Sequence, residues 1–257
     1  MHSLLGNELY KWFRLKKFYL FLGIMVGIET ALTLQYKFSP PQTGLVPLNG
    51  QSLPMALLSE LPQITAVFIA VFAADMIADE YRSGAFKLVL LRPVSRVELL
   101  TAKVASLLVF VAVMTGAAVI SAYIAGTLAF GWGDGALVQG ITYAPAKGII
   151  MTLQSALLML LPGLGFGMMV IYLALLTDSV GITIGGALGL LLLSSLIESF
   201  GSVRAYSIIY LMRSFHLDFI RSSPRQDVFT DLATIVLYIV VFYLGSVFIL
   251  NRKDITW

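Results

Sequence analysis

The chain has 257 residues, 58% of them hydrophobic and only 12% charged, with a formal net charge of +3 and no cysteine. A soluble domain carries roughly twice that charged fraction, so a bilayer is the expected solvent and the hydrophobic runs leave no room for a soluble domain. The absence of cysteine excludes disulfides, thiolate metal sites and cysteine nucleophiles.

The first 17 residues carry Lys11, Arg14, Lys16 and Lys17, and no small-x-small cleavage pattern follows them, which argues against a cleavable signal. Leu5, Leu9, Trp12 and Phe13 share one helical face; Asn7, Lys11, Arg14 and Lys17 share the opposite one. This is the pattern of an amphipathic helix on an inner leaflet, with a plain charged anchor for the first span as the alternative. A membrane span needs about 20 apolar residues. Six stretches qualify, at about 18–34, 55–78, 104–130, 148–176, 179–197 and 232–250. The expected fold is therefore an all-α integral membrane protein: one transmembrane domain of six helices preceded by an interfacial helix over 1–17.

Placing the N-terminus in the cytoplasm puts eleven of the 17 Lys and Arg inside: Lys11, Arg14, Lys16, Lys17, Arg82, Lys87, Arg92, Arg96, Lys103, Arg252 and Lys253. Lys37, Lys147, Arg204, Arg213, Arg221 and Arg225 fall outside. The bias predicts both termini inside, in the plasma membrane of a bacterium or archaeon. Residues 198–231 carry four arginines on the minority side. Ile208, Ile209, Met212, Phe215 and Phe219 recur there at helical spacing, which predicts an amphipathic external helix dipping into the outer leaflet.

Acids inside a membrane are costly and mark function. Glu29, Glu60 and Asp75 are the candidates, lining a translocation path or sitting at solvated helix ends. In the fourth span, Pro162 followed by Gly163, Gly165 and Gly167 predicts a kink or break, either a hinge or a static bend. Gly23/Gly27 and Gly185/Gly189 match the small-xxx-small helix-packing pattern. Only residues 177–179 join the fourth and fifth spans, where Asp178 or Ser179 caps the fifth helix. His216 is expected at an interface.

The most informative stretch is 80–103. Gly84 ends the helix leaving the membrane, and Phe86 to Leu91 form a short basic but apolar segment. Arg92-Pro93 stops it. Ser95 and Glu98 then form a capping box that opens the next helix. The leucines of this segment need cover, from a partner protein or from the lipid surface.

The pattern Glu80…Gly84…Leu91-x-Pro93-x-x-Arg96…Lys103 resembles the segment between the second and third spans of ABC-2 type transporter permeases, with Ala85 where that family often has Thr. The tail Phe248…Arg252-Lys253-Asp254-Ile255 resembles the family's cytoplasmic ending. The resemblance implies an ABC-2, type V exporter-like fold. It also implies a coupling element that docks on a separate ATP-binding subunit through Glu80, Arg82, Gly84, Phe86, Leu91, Arg92, Pro93 and Arg96, with Asp178 as a minor contact. The implied partners are two copies of that subunit and a second permease copy or a paralogue.

The chain has no G-x-x-x-x-G-K-[ST] loop and no H-E-x-x-H. It is therefore expected to bind no cofactor or metal and to have no catalytic residue; ATP and Mg would belong to the partner. The expected function is export of a hydrophobic or amphipathic substrate, a peptide, antibiotic or lipid, with membrane lipids but no nucleic acid as further partners. The alternatives are an ion-coupled secondary transporter and a membrane sensor or immunity protein.

Overall fold

The structure is a computed structural model that describes residues 2–38, 49–80, 94–138, 141–201, 203–220 and 225–253. In chain order come α1 (His2–Phe13), α2 (Lys16–Phe38), α3 (Leu53–Glu60) and α4 (Pro62–Ala74), which runs on into a π-helical turn (Asp75–Asp79). Then follow α5 (Arg96–Phe130), the strands β1 (Ala136–Val138) and β2 (Ile141–Tyr143), α6 (Pro145–Thr177) and α7 (Val180–Glu198). A 3₁₀ turn (Arg204–Tyr206), α8 (Ile208–Ile220) and α9 (Arg225–Arg252) complete it. Among the described residues five helices, α2, α5, α6, α7 and α9, are long and apolar enough to cross a membrane, and α3 with α4 makes a sixth crossing if the bent pair is one span.

Two prolines behave oppositely to the sequence expectation. A single helix was expected over 55–78, but α3 and Pro62–Ala78 meet at an angle of 56°. Leu61 ends α3 and Pro62 opens α4 at its first position, where the missing N–H costs nothing. The expected break at Pro162 is absent: α6 runs unbroken through it for 33 residues. Pro162 and Gly163 are buried, and a Cβ on Gly163 would lie 3.0 Å from Val111 of α5. The next two glycines admit Ile208 and Leu107 in the same way.

The Ser95–Glu98 capping box is present, with Glu98 accepting from the Ser95 backbone N–H at 2.9 Å and Ser95 accepting from the Glu98 N–H at 3.1 Å. It fixes the start of α5 well before the apolar run. At 35 and 33 residues, α5 and α6 are each about 50 Å long. That exceeds the roughly 30 Å hydrocarbon core, so both project beyond it or tilt.

The bundle has two distinct ends. One, the terminal end, gathers α1, the π turn, the start of α5, the 177–179 turn and the end of α9. At the other, a small antiparallel hairpin pairs Ala136 with Tyr143 and Val138 with Ile141, an element the sequence did not suggest. Gly131 and Gly133 there adopt positive φ (78° and 77°), a conformation glycine takes without strain. The hairpin end is held by backbone contact: Gly50 N–H donates to the Gly131 carbonyl at 2.7 Å.

Within the 198–231 region, α8 packs along α6 toward the hairpin end. Ile208 touches the position of Gly165, well along α6, whereas Leu217 and Ile220 pack on Met55, Val138 and Met151 at the hairpin end. Ile208, Ile209, Met212 and Phe215 are buried against the chain's own helices, where an apolar face turned into the outer leaflet was expected, and Phe219 is exposed. His216 is fully buried, with Nε2 3.4 Å from the Ser59 hydroxyl, not interfacial as expected.

A Cβ on Gly50 would stand 2.7–2.8 Å from the backbone of Thr127, which cannot move aside. Gly50→Val is therefore expected to destabilise the hairpin end by about 1–3 kcal/mol, read as a lowered thermal unfolding midpoint in detergent. An unchanged midpoint would mean that α5 and the Gly50 turn are not in contact.

Candidate functional site

The terminal end is organised by one buried cation. Lys103, on the first turns of α5, has a side chain that is 0% exposed. An ammonium carries three N–H groups and must satisfy each of them away from water. Lys103 Nζ donates to Glu80 Oε2 at 2.6 Å, to the Met76 carbonyl at 3.0 Å and to Glu8 Oε2 at 3.2 Å. The second oxygens of the same two carboxylates accept from Lys11, Glu80 Oε1 at 2.9 Å and Glu8 Oε1 at 3.0 Å. Two lysines and two glutamates thus form a closed, neutral ring joining α1, the π turn and α5. Met76 lies inside the π turn, so Lys103 also takes up a carbonyl of that irregular segment. Single-turn π segments recur at functional sites.

The ring shifts its own titrations. Burial alone raises Glu80, but Lys103 and then Lys11 outweigh it and hold the carboxyl below its ordinary value of 4.5. Burial works to lower Lys11, and Glu80 and Glu8 outweigh it, raising the ammonium above 10.5.

A second network lies at the same end. Arg96 donates to the carbonyls of Leu250 (2.5 Å) and Lys253 (3.0 Å), acceptors at the C-terminus of α9 that helix geometry leaves free. Lys253 donates to the Leu175 carbonyl at 2.6 Å and pairs with the Asp178 carboxylate. Asp178 sits in left-handed conformation (φ 50°) at the end of α6, and Ser179, not Asp178, caps α7. Arg96 and Asp178 therefore join α5, α6 and α9.

A cavity of about 490 Å³ opens beside the ring, between α1, α2, the π turn and α5. Lys17 pairs with Asp75 at its rim, 2.9 Å apart. Its wall is aromatic. Trp12 donates to the Ser106 hydroxyl at 3.1 Å, and Phe72 and Phe110 stack with centroids 4.1 Å apart.

Of the residues singled out from sequence, Glu80, Asp75, Arg96 and Asp178 come together at the terminal end. Arg82, Gly84, Phe86, Leu91, Arg92 and Pro93 lie outside the described residues. Glu29 is buried in α2 and meets Ser121 of α5; its Oε1 has no hydrogen-bond partner among the described residues. Glu60 is exposed at the end of α3. Pro162 and Gly163 lie in mid-α6, away from both ends. A Cβ on Gly23, Gly27, Gly185 or Gly189 would meet nothing within 4 Å, so their pattern packs no helix among the described residues. No group of three or more His, Asp or Glu among the described residues is placed to hold a metal ion.

The sequence reading missed Glu8. The signal was available: Leu5, Glu8, Leu9 and Trp12 fall at i, i+3, i+4 and i+7, so an acid sits within the apolar stripe of α1. A buried acid there requires a buried cation elsewhere, and Lys103, at the head of an apolar run, is the matching residue.

These features define a helical protein whose long apolar helices are compatible with repeated membrane crossing. The chain matches a family described as "Protein of unknown function (DUF2705)" over residues 20–256 and belongs to that family. No curated protein matches it. The resemblance to ABC-2 permeases is corrected by the family match, which no ABC-2 match accompanies. The motif behind that resemblance was short, and three of its described members are engaged within the chain: Glu80 and Lys103 pair with each other, and Arg96 is spent on α9.

Removing Lys103 leaves two buried carboxylates with Lys11 as their remaining cation among the described residues. Lys103→Met is expected to cost about 3–5 kcal/mol, read by thermal or denaturant unfolding in detergent. Because Glu80 is held below 4.5, its contribution is complete above that value and is lost as pH falls through the folded-state value. Wild-type stability should thus drop with pH below 4.5, and Glu80→Gln should flatten that dependence. A wild type with the same slope as Glu80→Gln would contradict the ring.

Proposed function

We propose that this chain is the membrane-spanning subunit of an export system, moving a hydrophobic or amphipathic substrate with energy from ATP hydrolysed, with Mg, by a separate subunit. The cell membrane of a bacterium or archaeon, with both termini in the cytoplasm, is the setting. Two copies of the ATP-hydrolysing subunit and a second membrane-spanning copy or a paralogue complete the complex.

One observation carries this reading: the segment 81–93 is bounded on both sides by residues anchored in the bundle. Glu80, immediately before it, is fixed by Lys103 and Lys11. Arg96, just after it, is fixed to the end of α9, whose neighbour Lys253 reaches the end of α6. Force applied to residues 81–93 would pass into α4, α5, α6 and α9 together. The chain holds no phosphate-binding loop, which supports a force supplied by another subunit.

The chain is naturally free of cysteine, which suits a direct test. Arg92→Cys should react with a membrane-impermeant maleimide only when the cytoplasmic face is open, and a photo-cross-linker at position 92 should trap a nucleotide-binding chain. Reaction of position 92 from the exterior would overturn the reading.

Glu29 favours a second reading, an ion-coupled carrier, because a buried carboxyl with one unpartnered oxygen is an unusual cost inside a membrane. Purified chain in proteoliposomes without any ATP-hydrolysing subunit separates the two. The export reading expects no transport there; transport lost in Glu29→Gln would favour the carrier.

A further inference from the structure

The cavity beside the ring has a graded lining. Its rim carries Lys11, Arg14, Lys17, Glu8, Asp75 and Glu80. Its deeper wall is Phe18, Phe21, Phe72 and Phe110, with Trp12 and Ser106 between. Phe18 adjoins Lys17, Phe21 lies one turn beyond it and Phe110 two turns beyond Lys103, so the aromatic wall reaches about 6–10 Å deeper along the helix axes than the charges. Polar groups at the end of the bundle and aromatic groups below them follow the polarity of one bilayer leaflet.

Charge selects the head group. The lysine–glutamate ring is neutral, and Lys17 neutralises Asp75. Arg14 is left over. It lies 4.4 Å over the Tyr10 ring and makes no ion pair among the described residues. The rim therefore offers one uncompensated guanidinium, a match for one phosphodiester. Basic sites between helices at a membrane surface recognise anionic lipid head groups on the same grounds.

We infer that this cavity is a resident-lipid site that takes one anionic phospholipid from the leaflet at the terminal end, its phosphodiester on Arg14 and an acyl chain along the Phe72–Phe110 wall. The lipid lies against Lys11, Glu80 and the π turn, and fills space that the neutral ring leaves open. The inference is independent of what the protein transports.

Trp12 reports on the site. The chain has three tryptophans, and replacing Trp132 and Trp257 by Phe leaves Trp12 as the only one. This protein is reconstituted into phosphatidylcholine vesicles holding a minor fraction of phosphatidylglycerol, with bromine on the acyl chains of one lipid or the other. Brominated phosphatidylglycerol should quench Trp12 about fivefold more, per molecule present, than brominated phosphatidylcholine, the enrichment that one basic side chain gives at an anionic surface. Arg14→Gln should abolish that preference without moving the Trp12 emission maximum, which reports an intact pocket. Equal quenching by the two lipids, no quenching by either, or a preference that survives Arg14→Gln would each overturn the inference.

Discussion

A lysine ammonium with no access to water must find an acceptor for each of its three protons, and the terminal end of this molecule is built around that demand. Lys103 meets it with two carboxylates from different elements and one carbonyl of a π turn. The Met76 carbonyl belongs to the π turn, so this local departure from regular helix is tied to a side chain from a neighbouring helix. Both carboxylates are shared with Lys11, so the four pairings run in a ring among the described residues. The amphipathic α1 is thereby held by specific bonds and not by lipid affinity alone.

The same end holds a second set of ties made from helix ends. Arg96 uses the carbonyls that α9 leaves free, and Lys253 does the same for α6. Such contacts are directional, unlike the apolar packing that fills the rest of the bundle, where lipid is as good a partner as leucine. Polar ties therefore set the register of the helices at one end. At the hairpin end that role falls to close backbone approach at Gly50 and Gly126. Between them lies α8, with His216 buried and its Nε2 3.4 Å from the Ser59 hydroxyl.

Much of the helical frame was legible in the sequence because span length and apolar runs are one-dimensional signals. The start of α5 was legible too, since the Ser95–Glu98 box is a local device that needs no knowledge of the fold. Pro62 and Pro162 show where such reading ends. Both remove a backbone donor, yet one bends the chain and the other sits within an unbroken helix, and the difference lies in neighbours such as Val111 and Leu107 that sequence does not place. Glu80, Lys103 and Arg96 were recognised as important, but their partners Glu8 and the end of α9 lie far away in sequence. A motif that read as an outward-facing docking signature contains residues that satisfy one another inside the chain.

The account depends on Lys103 fastening α1 to the bundle, and amide hydrogen exchange of Lys103→Met in detergent tests that most directly. Residues 2–13 should lose protection in the variant while the amides of α6 and α9 keep theirs, because their ties run through Arg96 and Lys253. Unchanged protection of α1 in a variant that lacks the ammonium would contradict the account.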